Sequence, residues 1–379
     1  MIAGAQAQIP KLSLDEFITE YLPDYRIEKE IQLDGVARDF AVAKDTGDIV
    51  ALIEKNEKIY IHFLNSKGEK QWEYIVEDKK NLLISSIAYN AKAIVFWQVV
   101  EGKVENIVLD NHGDLLFTKE LRHEDLRTSP GGSYFYEMFG PHSPDPFGLL
   151  IYDRKGNKIE YDRPDFPEKG MYPVFIQDNL FVVCNVTDRK LVFNEIEAGN
   201  LKTINEYKYE ERAIYSYNVI QQSIYFNDNY VAFGNMRETL VFDHSGNLMG
   251  KYPRARLASF INSDELIIGN TARQKNYIKR INIEENRITK DYDYYTLSSM
   301  RRDGTLIELR DRFSDIHEFQ DFYLVRRVAP RTKEIKTLIN DKDNFSVLFG
   351  IFEIAEITDD NIFFFSFEDA KLTILEVKR

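Results

Sequence analysis

From residue 25 to the end of the chain, short apolar runs alternate with small polar turns. One full copy of the pattern is Leu240-Val241-Phe242, the turn Asp243-His244-Ser245-Gly246-Asn247, then Leu248-Met249-Gly250-Lys251-Tyr252. The turn returns as Asn65-Ser66-Lys67-Gly68, Asp110-Asn111-His112-Gly113 and Asp153-Arg154-Lys155-Gly156, with a looser copy at Glu197-Ala198-Gly199-Asn200. Glycines 68, 113, 156, 199 and 246 stand 45, 43, 43 and 47 residues apart. Glu284-Glu285-Asn286 and Ala329-Pro330-Arg331-Thr332 read as degenerate copies. Glycine or asparagine suits the positive φ of such hairpins, and the Asx side chain closes the turn locally.

A second turn series interleaves with the first: Asp45-Thr46-Gly47-Asp48, Asn90-Ala91, Ser129-Pro130-Gly131-Gly132, Gln177-Asp178-Asn179, Asn227-Asp228-Asn229, Asn262-Ser263-Asp264, Arg302-Asp303-Gly304 and Asp359-Asp360-Asn361. Most lead into a run apolar at every position, such as Ile49-Val50-Ala51-Leu52 or Leu180-Phe181-Val182-Val183. A strand covered on both faces needs such a run. Each unit then reads strand a, turn, strand b, connection, strand c, Asx-x-x-Gly turn, strand d. The fold class is all-β, and four antiparallel strands every 40 to 45 residues or so are the blade of a propeller.

The last unit has strands a to c and then the chain ends, so Tyr25-Arg26-Ile27-Glu28-Lys29-Glu30-Ile31-Gln32-Leu33 is expected to supply its strand d. Closure through both termini removes exposed sheet edges. The count gives an eight-bladed β-propeller over 25–379, or seven blades if a degenerate unit near 256–338 is misread. Residues 1–24 form a leader and a short helix. Ser13 and Glu16 make a capping box, Leu12 and Phe17 a hydrophobic staple, and the helix runs over 14–21 and stops before Pro23.

Ile59-Tyr60-Ile61-His62-Phe63-Leu64-Asn65-Ser66-Lys67-Gly68-Glu69-Lys70-Gln71-Trp72 resembles a quinoprotein-type repeat with its Gly-x-x-x-Trp ending. Nearly all of residues 25–379 resembles the β-propeller superfamily, closer to quinoprotein-like and WD-repeat-like propellers than to kelch or sialidase ones. Only this copy keeps the tryptophan, and the Gly-His and Trp-Asp pairs of true WD repeats are missing. The resemblance specifies a fold. For a quinone-dependent dehydrogenase it would imply stacking aromatics, a calcium site and often a cysteine pair. Here Trp72 and Trp97 both fall in strands and Cys184 stands alone. A sialidase-type site would need a Ser-x-Asp-x-Gly-x-x-Trp box, which is missing.

The net charge of −13 argues against a nucleic acid or an anionic membrane as partner. No run reaches the roughly 20 apolar residues of a membrane helix. Ala5-Gln6-Ala7 resembles the end of a signal peptide without its apolar core, a slight lean towards export. A single cysteine excludes an intrachain disulfide and a Cys-cluster metal site, and Cys184 reads as a buried, inert thiol. The Asx-x-x-Gly turns lack the alternating carboxylates of calcium loops, and the six histidines show no metal-ligand spacing. His112 and His244 fall inside c–d turns and are expected to be exposed.

Two stretches break the repeat and are expected between strands b and c. Residues 132–147 contribute Tyr134, Tyr136, Phe139, His142 and Phe147. Residues 310–322 contribute Arg312, Phe313, His317 and Phe319. Aromatic, histidine and arginine side chains on connections suit interface anchors, although they also suit caps on their own blades. The basic run 326–333 reads as decoration of an outer hairpin. These features predict a non-enzymatic, monomeric scaffold that binds a protein or peptide on its connection-rich face, with no catalytic residue, cofactor or metal. The alternative is an exported propeller that acts on a carbohydrate or small molecule in the central cleft.

Overall fold

The alternation of apolar run and glycine turn becomes a series of hairpins. Their inner strands, such as Ile49–Lys55 and Leu180–Asn185, bury both faces, while outer ones, such as Lys70–Val76, are mostly exposed. The computed structural model describes residues 13–76, 82–121, 126–138, 149–161, 171–185, 188–209, 224–234, 238–253, 257–260, 263–270, 277–292, 315–318, 322–328, 335–341, 348–349, 354–358, 361–366 and 370–378. Helix α1 (Leu14–Tyr21) begins at the expected capping box, where the Ser13 side chain accepts from Glu16 N and Glu16 reaches back to Ser13 N.

Strand β1 (Tyr25–Gln32) is followed by eight sheets among the described residues. The first holds β2 (Val36–Val42), β3 (Ile49–Lys55), β4 (Lys58–Leu64) and β5 (Lys70–Val76); the second β6 (Leu83–Ile87), β7 (Ile94–Val100), β8 (Lys103–Leu109) and β9 (Leu115–Leu121). The third has β10 (Arg127–Thr128), β11 (Tyr134–Met138) and β12 (Leu149–Asp153). The fourth has β13 (Glu160–Tyr161), β14 (Met171–Phe175), β15 (Leu180–Asn185), β16 (Lys190–Glu197) and β17 (Asn200–Lys208). The fifth holds β18 (Ile224–Phe226), β19 (Tyr230–Gly234), β20 (Glu238–Asp243) and β21 (Leu248–Pro253). The sixth holds β22 (Leu257–Phe260), β23 (Glu265–Asn270), β24 (Tyr277–Asn282) and β25 (Arg287–Tyr292); the seventh β26 (Asp315–Glu318), β27 (Phe322–Val328), β28 (Ile335–Asp341) and β29 (Leu348–Phe349). The eighth holds β30 (Ile354–Ile357), β31 (Asn361–Ser366) and β32 (Lys371–Val377), and β1 completes it by antiparallel pairing with β32, Tyr25 opposite Val377 and Gln32 opposite Lys371.

Sheets pack face to face in chain order. Phe363, Phe365, Leu372 and Ile374 of the eighth meet Phe40, Ile49, Ala51 and Ile53 of the first. Val50, Leu52, Ile61 and Phe63 of the first meet Ile84, Ile94, Phe96 and Leu109 of the second. Similar clusters join the second to the third, the third to the fourth, the fourth to the fifth and the fifth to the sixth. Strand β22 lies beside β26, and β28 beside β30. This architecture of repeated antiparallel sheets packed through their faces is propeller-like. Fully buried Phe17 of α1 sets its ring edge-on to Phe364 of β31 at 5.8 Å, which seats the helix on the eighth sheet.

Three expectations need correction. The third sheet has three strands and the fourth has five. After the turn at 153–156 the chain pairs briefly with β12, through the Tyr152–Lys158 bridge and Ile159 N to Ile151 O at 2.8 Å, then crosses to run parallel to β17 as β13. Tyr134–Met138 and Asp315–Glu318 are strands β11 and β26, so neither stretch is wholly a connection. Because β26 is the first strand of its sheet and β27 the second, 310–322 does not lie between second and third strands as expected. Residues 329–332 separate β27 from β28, the second and third strands of their sheet, so the basic run 326–333 begins on an inner strand and not on an outer hairpin.

Candidate functional site

The two ends of the sheets differ. At one end lie the described turns of both series, such as 45–48, 65–68, 110–113 and 243–246. Residues 329–332, expected as a copy of the first series, fall between the second and third strands of their sheet. Hydrogen bonds at the turn end run from sheet to sheet. Asp45 N donates to Tyr89 O at 2.8 Å, and Tyr89 N to Pro130 O at 2.7 Å. Ser129 Oγ and Ser133 N then donate to Asp178 Oδ1 at 2.6 and 3.0 Å. The belt continues through His244 and reaches Ser263 O, which accepts from Asn227 Nδ2 at 3.2 Å. Asx side chains close their own turns: Asp243 Oδ1 accepts from Asn247 N at 2.8 Å, and Asp110 Oδ1 from His112 N at 2.8 Å and Asp114 N at 3.0 Å. Their carboxylates are thereby used by the backbone, as the sequence predicts.

His112 is exposed as expected, but His244 is not. Its half-buried ring sits between two sheets, Nδ1 at 3.0 Å from Gln177 Nε2 and Nε2 at 3.0 Å from Asn227 O. A carbonyl can only accept, so Nε2 carries the hydrogen and Nδ1 accepts from the amide. Burial holds this imidazole below the usual histidine value, although the Asn227 carbonyl, Asp228 and Asp243 favour its charged form. The sequence placed His244 in the turn correctly but carried no sign of the neighbouring Gln177.

At the opposite end lie the described connections 33–35, 56–57 and 101–102. This is the end where the partner-binding candidates were expected. Tyr136 stacks on Phe175 at 4.9 Å, and Phe175 on Phe181 at 4.9 Å. Tyr134 packs against the same cluster between the third and fourth sheets but stands at the turn end, opposite Asp153 in the β11–β12 ladder. Burial raises its phenol, helped by Asp178 and Asp153. Both rings are half-buried. His317 stands on β26 of the seventh sheet. Phe139, His142, Phe147, Arg312, Phe313 and Phe319 lie outside the described residues. The candidates placed therefore stand on the third and seventh sheets.

Several polar residues near this end escaped the sequence reading. Asp39, buried at a bulge in β2, accepts from Phe40 N at 2.9 Å and from Ile84 N of the next sheet at 2.7 Å. Ser85 Oγ donates to Leu126 O at 2.7 Å, and Ser86 Oγ accepts from Thr128 N at 3.0 Å. First strands thus exchange hydrogen bonds that a ladder would otherwise supply. The available signal was a polar residue interrupting an apolar run, as in Ala37-Arg38-Asp39-Phe40. Cys184 is fully buried, its Sγ lies 3.6 Å from Tyr209 Oη, and burial pushes its thiol up to about 12, an inert group as expected. Among the described residues no three His, Cys, Asp or Glu side chains are grouped so as to hold a metal ion, and no helix is long and apolar enough to cross a membrane.

No family model and no curated protein matches the chain. Solved structures similar to it include Sqt1 of Saccharomyces cerevisiae, at 11% identity and TM-score 0.48, covering 92% of this chain and 100% of that one. A europium-containing methanol dehydrogenase is similar at 9% identity and TM-score 0.49, covering 95% and 94%. The Dos1 propeller is similar at 10% identity and TM-score 0.45, covering 93% and 95%. Identities this low say nothing of activity or partner.

Proposed function

We propose that residues 25–379 form one eight-bladed β-propeller ring, closed by β1, that serves as a non-enzymatic scaffold and binds a protein or peptide at its connection end. The pairing of β1 with β32 supports closure, and the approach of β22 to β26 and of β28 to β30 supports a continuous ring. The asymmetry of the two ends carries the functional reading. The turn end uses its polar groups to hold sheets together, whereas the length of chain between strands that run to the other end ranges from 56–57 between β3 and β4 to 293–314 between β25 and β26. Unequal connections on a rigid frame are the usual seat of recognition. Tyr136, Phe139, His142 and Phe147, with Arg312, Phe313, His317 and Phe319, are the proposed contacts. Tyr134, which stands at the turn end opposite Asp153, is left out of them.

The test is a pull-down with Tyr136, Phe139 and Phe319 replaced by alanine in the full chain, with a thermal melt to verify folding. The partners recovered by wild type should be lost while the fold persists. Recovery of the same partners by a folded variant would show the proposed interface to be wrong.

A further inference from the structure

At the turn end, the junction between the fifth and sixth sheets gathers carboxylates from three separate turns. Tyr230, first residue of β19, stands opposite Asp243 in the β19–β20 ladder, so the two side chains share a face. Tyr230 packs in one cluster with Ile283, the residue before Glu284 in the β24–β25 turn. Ile283 N donates to Asp264 O at 2.9 Å, and Asn227 Nδ2 donates to Ser263 O at 3.2 Å, which fastens the turns of the two sheets side by side. Asp243, Asp264 and Glu284 therefore surround one tyrosine. After burial, these three carboxylates are what raises its phenol, as like charges nearby do.

Tyr230 is 7% exposed, yet its hydroxyl makes no hydrogen bond among the described residues and is not shut from solvent. A sheathed ring thus presents an unpartnered oxygen to the surface. The arginines of β24 and β25 are engaged by other carboxylates, Arg280 by Glu265 and Arg287 by Glu285 at 2.8 Å. Glu284 is exposed and has no ion-pair partner among the described residues. Just after the same two turns, the outer strands expose Met249 at 42% and Ile288 at 50%. Tyr134, first residue of β11, shows a different arrangement two sheets earlier. There Asp178 accepts from Ser129 Oγ and Ser133 N, and the turn after Asp153 brings Arg154 and Lys155.

We propose that the fifth–sixth junction is a docking site for an arginine or lysine side chain carried by a partner protein. The cation lies against the Tyr230 oxygen between Glu284 and Asp264, and apolar parts of the partner segment cover Met249 and Ile288. An organic cation fits better than a metal ion, because among the described residues no three carboxylates are grouped so as to hold one. A polypeptide is the source, since a free small cation would leave both apolar side chains bare. A second copy of the chain is disfavoured by the net charge of −13. The docking site lies at the end opposite the proposed connection-end contacts, and neither depends on the other.

A fluorescence-anisotropy titration of the full chain with a short peptide of alternating arginine and leucine tests this, with glutamine for arginine as the control peptide. Wild type should bind the arginine peptide, less tightly as salt rises, and should not bind the glutamine peptide. Glu284→Gln and Asp264→Asn should each weaken binding by about two- to five-fold, and Tyr230→Phe should weaken it by losing the phenol oxygen. Asp114→Asn, which removes the same charge from a turn of the second sheet, should leave binding unchanged. Thermal melts verify folding, and exposed Glu284→Gln decides alone if Asp264→Asn does not fold. Failure of wild type to bind, unchanged binding by Glu284→Gln, or equal weakening by Asp114→Asn would overturn the proposal. So would a dimer of the free chain that Glu284→Gln dissociates, because it would assign the surface to a second copy.

Discussion

Gly113 turns the β8–β9 hairpin of the second sheet and Gly199 the β16–β17 hairpin of the fourth, yet they meet different surroundings. A Cβ on Gly113 would fall 3.1 Å from Trp72 on β5, the outer strand of the preceding sheet, and Trp72 Nε1 donates to Asn111 O at 2.9 Å in the same turn. Gly156 faces Phe117 at 3.0 Å in the same way, and Gly246 faces Phe193 at 2.7 Å and Asn205 at 2.8 Å. Gly199 has nothing within 4 Å. The sheet before it is the third, which has no fourth strand to press on the turn, because the chain leaves after Ile159 to pair with β17 as β13. The comparison separates two reasons for glycine that the sequence merges. All of these residues have positive φ, 85° at Gly113 and 81° at Gly199, but only some also lie under a neighbouring strand.

The largest effect should come from the strand that does the pressing. Trp72→Ala removes a ring stacked on Phe63 at 5.2 Å together with the bond to Asn111, and should destabilise the chain by about 3–4 kcal/mol in urea denaturation. A loss below about 1 kcal/mol would mean that the outer strands merely lie near the turns. The glycines come next. Gly246→Ala must accept a left-handed alanine and displace Phe193 and Asn205, for about 2–3 kcal/mol. Gly199→Ala meets only the backbone penalty, at about 1 kcal/mol. Equal losses for the two, read from denaturation midpoints at constant m, would erase the distinction drawn from the missing strand.

Why that strand was not foreseen is physical. Asp153-Arg154-Lys155-Gly156 is as good a turn as Asp243-His244-Ser245-Gly246, and both close alike, with Asp153 Oδ1 accepting from Asn157 N at 2.8 Å. A turn specifies that the chain reverses; it does not specify which edge the returning strand prefers. Pairing with β17 instead of β12 is a tertiary choice, and no local pattern encodes it. The same limit applies to the candidate site. Tyr134 and Tyr136 were legible as aromatics in an irregular stretch, but their burial depends on the next sheet, in which Phe175 stands on β14 (Met171–Phe175). What was legible followed from periodicity and short-range chemistry: α1 with its capping box, β1 as partner of β32, and the Asx turns. Glu137 and Asn106 went unread because a polar residue in a strand usually faces solvent, and only the packing of neighbouring sheets reveals that these do not.

The smallest expected effect sharpens the contrast from the side chain next to Gly246. His244 joins the fourth and fifth sheets through Gln177 and Asn227 O, and the turn at Gly199 has no counterpart. Its imidazole is held below the ordinary value of 6.5, chiefly by burial. The unfolded chain therefore takes up the proton first as pH falls. The contribution of the neutral ring is complete above about pH 6.5 and is lost as pH drops from there through the folded-state value, below which no further loss accrues. Protonation also places a hydrogen on Nδ1 against the amide donor of Gln177, which weakens the link between the two sheets. His62 titrates in the same direction, since its burial outweighs the opposing pull of Glu73, so wild type should lose stability on mild acidification from both sites. His244→Gln should flatten the dependence of Tm on pH between about 7 and 5 without abolishing it, and His62→Gln in addition should flatten it further. An unchanged slope in His244→Gln would mean that the bridge between the fourth and fifth sheets does not sense the proton. The two junctions would then differ only in how closely the outer strand presses on the turn.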